Sequence, residues 1–172
     1  TPTPILPPGA PTTSPIPPGS TVIPIQVALQ EFIKGSQSRE GKTPASSRRT
    51  RTDTEVRLVG SSGPFNTKVT LTWKEERVGP NLGFFEGNIV FPPGILSTGT
   101  YNILVKEPNH LRKTVATAVA ITAAGQNATV DGRNNPLTAG DADGDNSING
   151  ADFAMVVRCL SENVQRSLTQ CS

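Results

Sequence analysis

Short segments that alternate apolar and polar residues constrain the fold of this chain most. KVTLTWKE, residues 68–75, places Val69, Leu71 and Trp73 on one face of a strand and polar residues on the other. Turn signals such as Ser62-Gly63-Pro64 separate this segment from five others of strand type. The others read IQVALQEFI, TEVRLVG, FFEGNIVF, TYNILVKE and TVATAVAIT. No helical pattern lies between them, so the sequence predicts a mostly β chain with an antiparallel β-sandwich over residues 25–131.

Proline dominates residues 1–24, which hold nine prolines. Because proline fixes φ and removes a backbone donor, neither a helix nor a central strand is expected there. The prediction is an extended Pro-rich N-terminal arm or linker. Six apolar residues lie in or next to this segment and would be unnecessary in a solvated linker. We expect them to bind a groove or a sheet edge, which could belong to the chain's own body or to a neighbour. They are Ile5, Leu6, Ile16, Val22, Ile23 and Ile25.

An acidic loop, residues 141–152, carries the most specific chemistry, within a third segment at 132–172. Oxygen-bearing residues occupy its positions 1, 3, 5, 7, 9 and 12, the spacing of a calcium loop. We predict Ca²⁺ as cofactor, with Ser147 giving its backbone carbonyl and Asn149 a side-chain oxygen or a held water. Asn146 lies where a left-handed backbone is needed. The predicted metal ligands are Asp141, Asp143, Asp145, Ser147, Asn149 and Asp152.

Two alternatives accompany the calcium prediction. Mg²⁺ fits less well, because it prefers a small octahedron and keeps its waters. An acidic loop could also cap a helix N-terminus, where Asp152 would favour the helix dipole. ADFAMVVRCLSENV, which follows the loop, has apolar residues at helical spacing and predicts a helix of about three turns. Capping alone does not explain three aspartates on alternate residues.

The loop resembles a single type I dockerin repeat, through Gly140-Asp141, Ile148-Asn149 and Asp152-Phe153. The resemblance implies a calcium-dependent adaptor that docks onto a cohesin, with partner-facing residues around Gly150, Ala151 and Met155. Dockerins normally have two such repeats and this chain has one, which implies that the loop and helix pack on the preceding sandwich. Calcium would then be a structural clamp. GTYNILVK resembles a late strand of an immunoglobulin-like or transthyretin-like sandwich.

Residues typical of catalysis are few. His110 is the only histidine and is expected in an exposed charged turn. Glu75 and Glu76 adjoin on a strand and would face opposite ways, which makes them poor candidates for a glycosidase pair. The formal net charge of +2 gives no reason to expect nucleic acid as a partner, and no apolar stretch is long enough to predict a membrane span. The sequence therefore predicts that the protein is not an enzyme.

Two further features concern modification and cellular location. Cys159 and Cys171 are either two small hydrophobic side chains or a disulfide, which would require an oxidising compartment. Asn127-Ala128-Thr129 is an N-glycosylation sequon. The chain starts without Met or a leader segment, and we interpret it as a mature, extracellular or cell-surface form.

These observations favour a secreted structural subunit that binds other copies of itself through the N-terminal arm and forms a fibre. The alternative is a dockerin-type adaptor for a cohesin-bearing scaffold. A third hypothesis, a calcium-dependent sugar-binding domain, would need exposed aromatic residues, whereas Trp73 and Tyr101 both have core patterns.

Overall fold

A computed structural model describes residues 15–30, 49–76 and 83–161, the last three residues for the backbone alone. The described chain is mostly β, as the sequence predicts, with one helix, α1, at Gly150–Ser161. The strands are β1 Thr21–Leu29, β2 Thr50–Gly60, β3 Gly63–Glu75, β4 Gly83–Phe91, β5 Gly99–Lys106, β6 Asn109–His110, β7 Lys113–Ile121, β8 Gly125–Gln126, β9 Val130–Leu137 and β10 Ala139–Asp141.

Eight of these strands form one sheet, which folds over to enclose the core in a sandwich-like arrangement. Its order is β7-β5-β2-β3-β4-β1-β8, with β9 also paired to β1. Every pair from β7 to β1 is antiparallel. The antiparallel sheet agrees with the prediction, and beyond β1 the pattern changes, because β8 and β9 each pair with β1 in parallel after the chain crosses over from β7.

The two ends of this sheet meet, because β9 lies beside β7. The Asn135 side-chain amide donates to the Thr114 carbonyl at 2.8 Å, and the Lys113 ammonium donates to the Pro136 carbonyl at 2.9 Å. Side-chain hydrogen bonds therefore join β7 and β9, which have no backbone hydrogen-bond ladder between them in the described sheet.

Residues that the alternation pattern assigns to the interior form the core. Val69 and Leu71 are buried, and Trp73 packs against the core edge-to-face with Phe85. Tyr101 is also buried, and its hydroxyl donates to the Ser97 carbonyl at 2.8 Å. The aromatic side chains considered for sugar binding thus serve packing.

The N-terminal boundary of the sheet corrects the sequence prediction. β1 begins at Thr21 and lies between β4 and the β8–β9 pair, so residues 21–24 do not belong to an extended arm. Val22, Ile23 and Ile25 are all buried, and Ile23 and Ile25 belong to the core cluster. Val22 is next to Ile23 on the strand and is therefore buried on the opposite face of the sheet. Of the two expected contacts, with the chain's own body or with a neighbour, the structure has the first for these residues.

Pro24 is tolerated inside this central strand because of a gap in the neighbouring strand. The Val22 carbonyl accepts from the Asn127 backbone N–H, so the backbone polar atoms of Pro24, two residues on, point to that same side. β8 pairs with residues 21–22 and β9 pairs from Ile25 onward. The missing proline donor therefore costs no ladder bond.

Two other predicted boundaries move. β9 crosses the expected division between residues 131 and 132, so the β body extends to β10 and Asp141. Residues 35–53 are polar and basic and lack apolar side chains, a composition that favours a solvated loop. β2 begins inside this segment, and its Arg51 lies over the Phe85 ring at 5.5 Å and pairs with buried Glu107 at 3.5 Å. Arg51 is therefore part of the packed body and not of a solvated loop.

Candidate metal centre

The acidic loop begins on a strand. β10 pairs with β6, with Ala139 opposite His110 and Asp141 opposite Asn109. The Leu111 N–H donates to the Thr138 carbonyl at 2.8 Å and extends this contact. As a result Asp141, the first predicted ligand, is fully buried at the boundary between the sheet and the loop.

Tight turns built by the loop's own side chains follow. The Asp143 carboxylate accepts from the Asp145 N–H at 3.1 Å, and the Asp145 carboxylate accepts from the Ser147 N–H at 2.7 Å. Gly144 and Asn146 have φ of 81° and 70°. The left-handed backbone predicted at Asn146 is confirmed, and it allows successive aspartates to turn inward.

Three carboxylates converge in this loop. Oxygen atoms of Asp141, Asp143 and Asp145 all lie within 4.8 Å of one another. Asp141 is buried, whereas Asp143 and Asp145 are exposed. Carboxylate oxygens at this spacing suit a hard divalent cation, whose ligand distances are about 2.3–2.6 Å for Ca²⁺. The donor set of this part of the loop therefore fits the predicted metal.

Asn149 and Asp152 form a capping box at the start of α1. The Asn149 side-chain oxygen accepts from the Ala151 N–H at 2.7 Å, and the Asp152 carboxylate accepts from the Asn149 N–H at 2.7 Å. This arrangement matches the capping alternative considered for Asp152, whereas the capping role of Asn149 was not predicted. It does not account for the three converging aspartates.

Asp152 also closes the loop onto its beginning. Its carboxylate accepts from the Ala142 N–H at 2.7 Å and from the Asp143 N–H at 3.3 Å. The bond from the Asn149 N–H, with those two further bonds, holds the pKa of Asp152 below its ordinary range. The buried carboxylate is therefore a fixed negative charge beside the three-aspartate cluster.

Groups that sequence analysis missed hold the loop against the β body. The Lys106 ammonium, at the end of β5, pairs with the Asp141 carboxylate and donates to the His110 carbonyl at 2.6 Å. The Arg112 backbone N–H donates to the Asn146 side-chain oxygen. Lys106 precedes Asp141 by 35 residues, so no local spacing connects the two.

His110 corrects another prediction. It is buried, at 2% exposure, and is not part of an exposed turn. Its ring Nδ1 lies 3.1 Å from the Pro108 carbonyl. β6 places it under the loop, where it contributes to packing.

The helix after the loop presents apolar side chains to solvent. Phe153 is 71% exposed, and Val156 and Val157 are 47% and 43% exposed. Ile148 and Met155 are exposed as well. The expected packing of this helix on the sandwich is therefore wrong for these residues. Cys159 and Cys171, the predicted disulfide, lie outside the described side chains.

The remaining predicted residues lie in the N-terminal part and directly after β8. Ile16 is exposed, and Ile5 and Leu6 lie outside the described residues. At the sequon, the Asn127 amide nitrogen donates to the Val22 and Thr122 carbonyls at 3.2 and 3.3 Å. The nitrogen that a sugar would modify is thus engaged in folded structure.

Comparison of the chain with protein-family models, with curated proteins and with solved structures found no match. Among the described residues, α1 is the only helix, and it is not long and apolar enough to cross a membrane.

Proposed function

We propose that the protein is a non-catalytic, extracellular structural module that binds Ca²⁺ in the loop 141–152. The observation that carries the proposal is the convergence of the Asp141, Asp143 and Asp145 oxygens within 4.8 Å. Asp141 is fixed by β10, whereas Asp143 and Asp145 are open to solvent. A cation can therefore enter from solvent and bind a ligand that is rigidly attached to the β body.

Calcium would act in this proposal as a clamp between the β body and the loop. The metal would neutralise three carboxylates that otherwise repel one another, and the fixed negative charge of Asp152 would add to the attraction. Because the ligands converge only in the folded chain, binding would stabilise that state, by about 2.7 kcal/mol at a hundredfold excess of calcium over its Kd.

Calorimetric titration with calcium chloride tests the proposal, with Asp143→Asn as the variant. Asparagine retains the side-chain oxygen that accepts from the Asp145 N–H, so the turn is kept while one ligand charge is removed. We expect wild-type binding at one site and a loss of about tenfold or more in the variant. Glu86→Gln, an exposed carboxylate on β4 outside the cluster, is the matched control and should bind as wild type does. Absence of calcium binding by the wild-type chain would refute the proposal.

A second candidate function is a dockerin-type adaptor for a cohesin-like partner. The uncovered apolar residues of α1, with Phe153 at 71% exposure, favour it over a clamp that is complete within one chain. A pull-down with a cohesin domain tests it, and loss of binding in Phe153→Ser would support the adaptor. Self-assembly through the N-terminal arm remains a separate prediction, supported now by exposed Ile16 alone among the described residues.

A further inference from the structure

Lys106 places a positive charge directly on the proposed calcium site. Its side chain is 11% exposed, and the Asp141 carboxylate with which it pairs has no exposure. The ammonium also donates to the His110 carbonyl at 2.6 Å. Burial protects this pair from the screening that weakens surface ion pairs, so the charge acts strongly on anything else that binds Asp141.

A groove of ≈ 500 Å³ lies beside this pair and has room for the ammonium when it leaves Asp141. Lys106, Asp141 and Asp143 line one part of it, and the carboxylates of Asp53 and Glu55 line another. Both of these acids are more than half exposed, and they pair with Lys68 at 3.2 Å and Arg112 at 2.9 Å. A lysine has four rotatable side-chain bonds, so its ammonium can leave Asp141 for the groove, where it would be hydrated or share these carboxylates with their present partners.

We propose that Lys106 is an internal competitor of calcium for Asp141 and sets the calcium affinity of the loop. The inference rests on the proposed function and specifies how that site is regulated. A bound calcium ion and the ammonium share one carboxylate, so binding requires the ammonium to withdraw or to be repelled. Either cost weakens affinity, toward the Kd of about 10⁻⁴–10⁻³ M that is typical of extracellular calcium modules. The loop then fills only where calcium is abundant.

Calorimetric titration of the full chain with calcium chloride at low ionic strength tests this inference. Lys106→Gln removes the charge but keeps an amide donor for the two acceptors, and Lys106→Met is used in addition. We expect both to bind calcium about ten- to a hundredfold more tightly than wild type. Lys106→Arg keeps the charge and should stay near wild type. Lys74→Met removes an exposed charge that does not line the groove and should also stay near wild type.

The outcomes separate this inference from the function on which it rests. Near-ultraviolet circular dichroism, which reports Trp73 and Tyr101, verifies that each variant is folded. Calcium binding that is equal or weaker in both folded neutral variants overturns the role of Lys106 and leaves the calcium site intact. A similar gain in Lys74→Met would show an effect of net charge alone and would also overturn it. If neither the wild-type chain nor any variant binds calcium, both proposals fail.

Discussion

At the scale of single residues, Asn127 shows how a modification signal can have a structural role. Its side-chain oxygen accepts from the Thr122 N–H at 2.7 Å and from the Thr122 hydroxyl at 2.8 Å. Its amide nitrogen donates to the carbonyls of Thr122 and Val22. One side chain thus joins the turn after β7 to the central strand β1.

Replacement of Asn127 by alanine should destabilise the fold. The bond to the Val22 carbonyl is partly buried and the other three are exposed, so their loss should lower the free energy of unfolding by about 1 kcal/mol. Urea denaturation of the unglycosylated protein measures this change in the free energy of unfolding. Thr129→Ala removes the same sequon but leaves these bonds, so it should retain wild-type stability. Equal stability of the two variants would contradict a structural role for the Asn127 amide.

Residue-scale prediction from sequence succeeded where the chemistry is local. The left-handed backbone at Asn146 follows from the loop spacing, and the structure has it. Lys106 was not predictable in this way, because its contact with Asp141 arises from the pairing of β6 with β10. His110 was misplaced for the same reason, since only that pairing buries it.

At the scale of elements, α1 has a well-defined beginning and an uncovered face. Asn149 and Asp152 cap it, and of the two the sequence analysis considered only Asp152 for this role. The apolar spacing predicted the helix correctly but did not reveal what the apolar face would contact. Phe153 is 71% exposed, so this face contributes little to the stability of the described chain.

Two variants compare the contribution to stability of an exposed phenylalanine in α1 with that of a buried phenylalanine in β4. Phe153→Ala should change the free energy of unfolding by no more than about 0.5 kcal/mol, as for other surface positions. Phe85→Ala, at a fully buried position in β4, should cost about 3–5 kcal/mol. Denaturation at constant calcium concentration compares them. If Phe153→Ala lowers the free energy of unfolding by about 2 kcal/mol or more, as truncation of a buried side chain does, α1 is packed in solution.

β1 is the element that sequence analysis placed least well. IQVALQEFI was predicted as a strand from residue 25, but the prolines up to Pro24 argued against any strand before it, so residues 21–24 were assigned to the arm. The position of Pro24 beside the gap between β8 and β9 removes the objection, but the gap is a property of the folded sheet. The other five strand segments were predicted because each carries its own alternation and its own turns.

At the scale of the whole molecule, the acidic loop is continuous with the β body. The chain runs from β9 through β10 directly into Asp141, and β6 holds β10 in place. The predicted division at residue 132 cuts through β9, so a fragment made there would lose a strand. The class of fold was predictable from patterns of short range, whereas the parallel crossover to β1 was not.

Light scattering of the full chain, with calcium and with chelator, tests self-assembly. Residues 1–14 should be deleted in the comparison variant, because deletion through residue 24 would also remove the first part of β1. If the arm joins copies, the full chain should form polymers and the variant should be monomeric with an unchanged denaturation midpoint. A monomeric full chain, with and without calcium, would exclude assembly through the arm under those conditions.

The parallel pairing of β1 with β9 also has a mechanical consequence. Ile25 is paired with Val130 and Leu29 with Leu137, so the N-terminal end of β1 and the C-terminal end of β9 lie at opposite ends of this strand pair. Tension applied between these two ends would slide the strands along each other. The ladder bonds between residues 25–27 of β1 and 130–132 of β9, which precede a shift in register, would then bear the load together and would not open one after another. The body that carries the loop is therefore connected to resist pulling along its own strand direction.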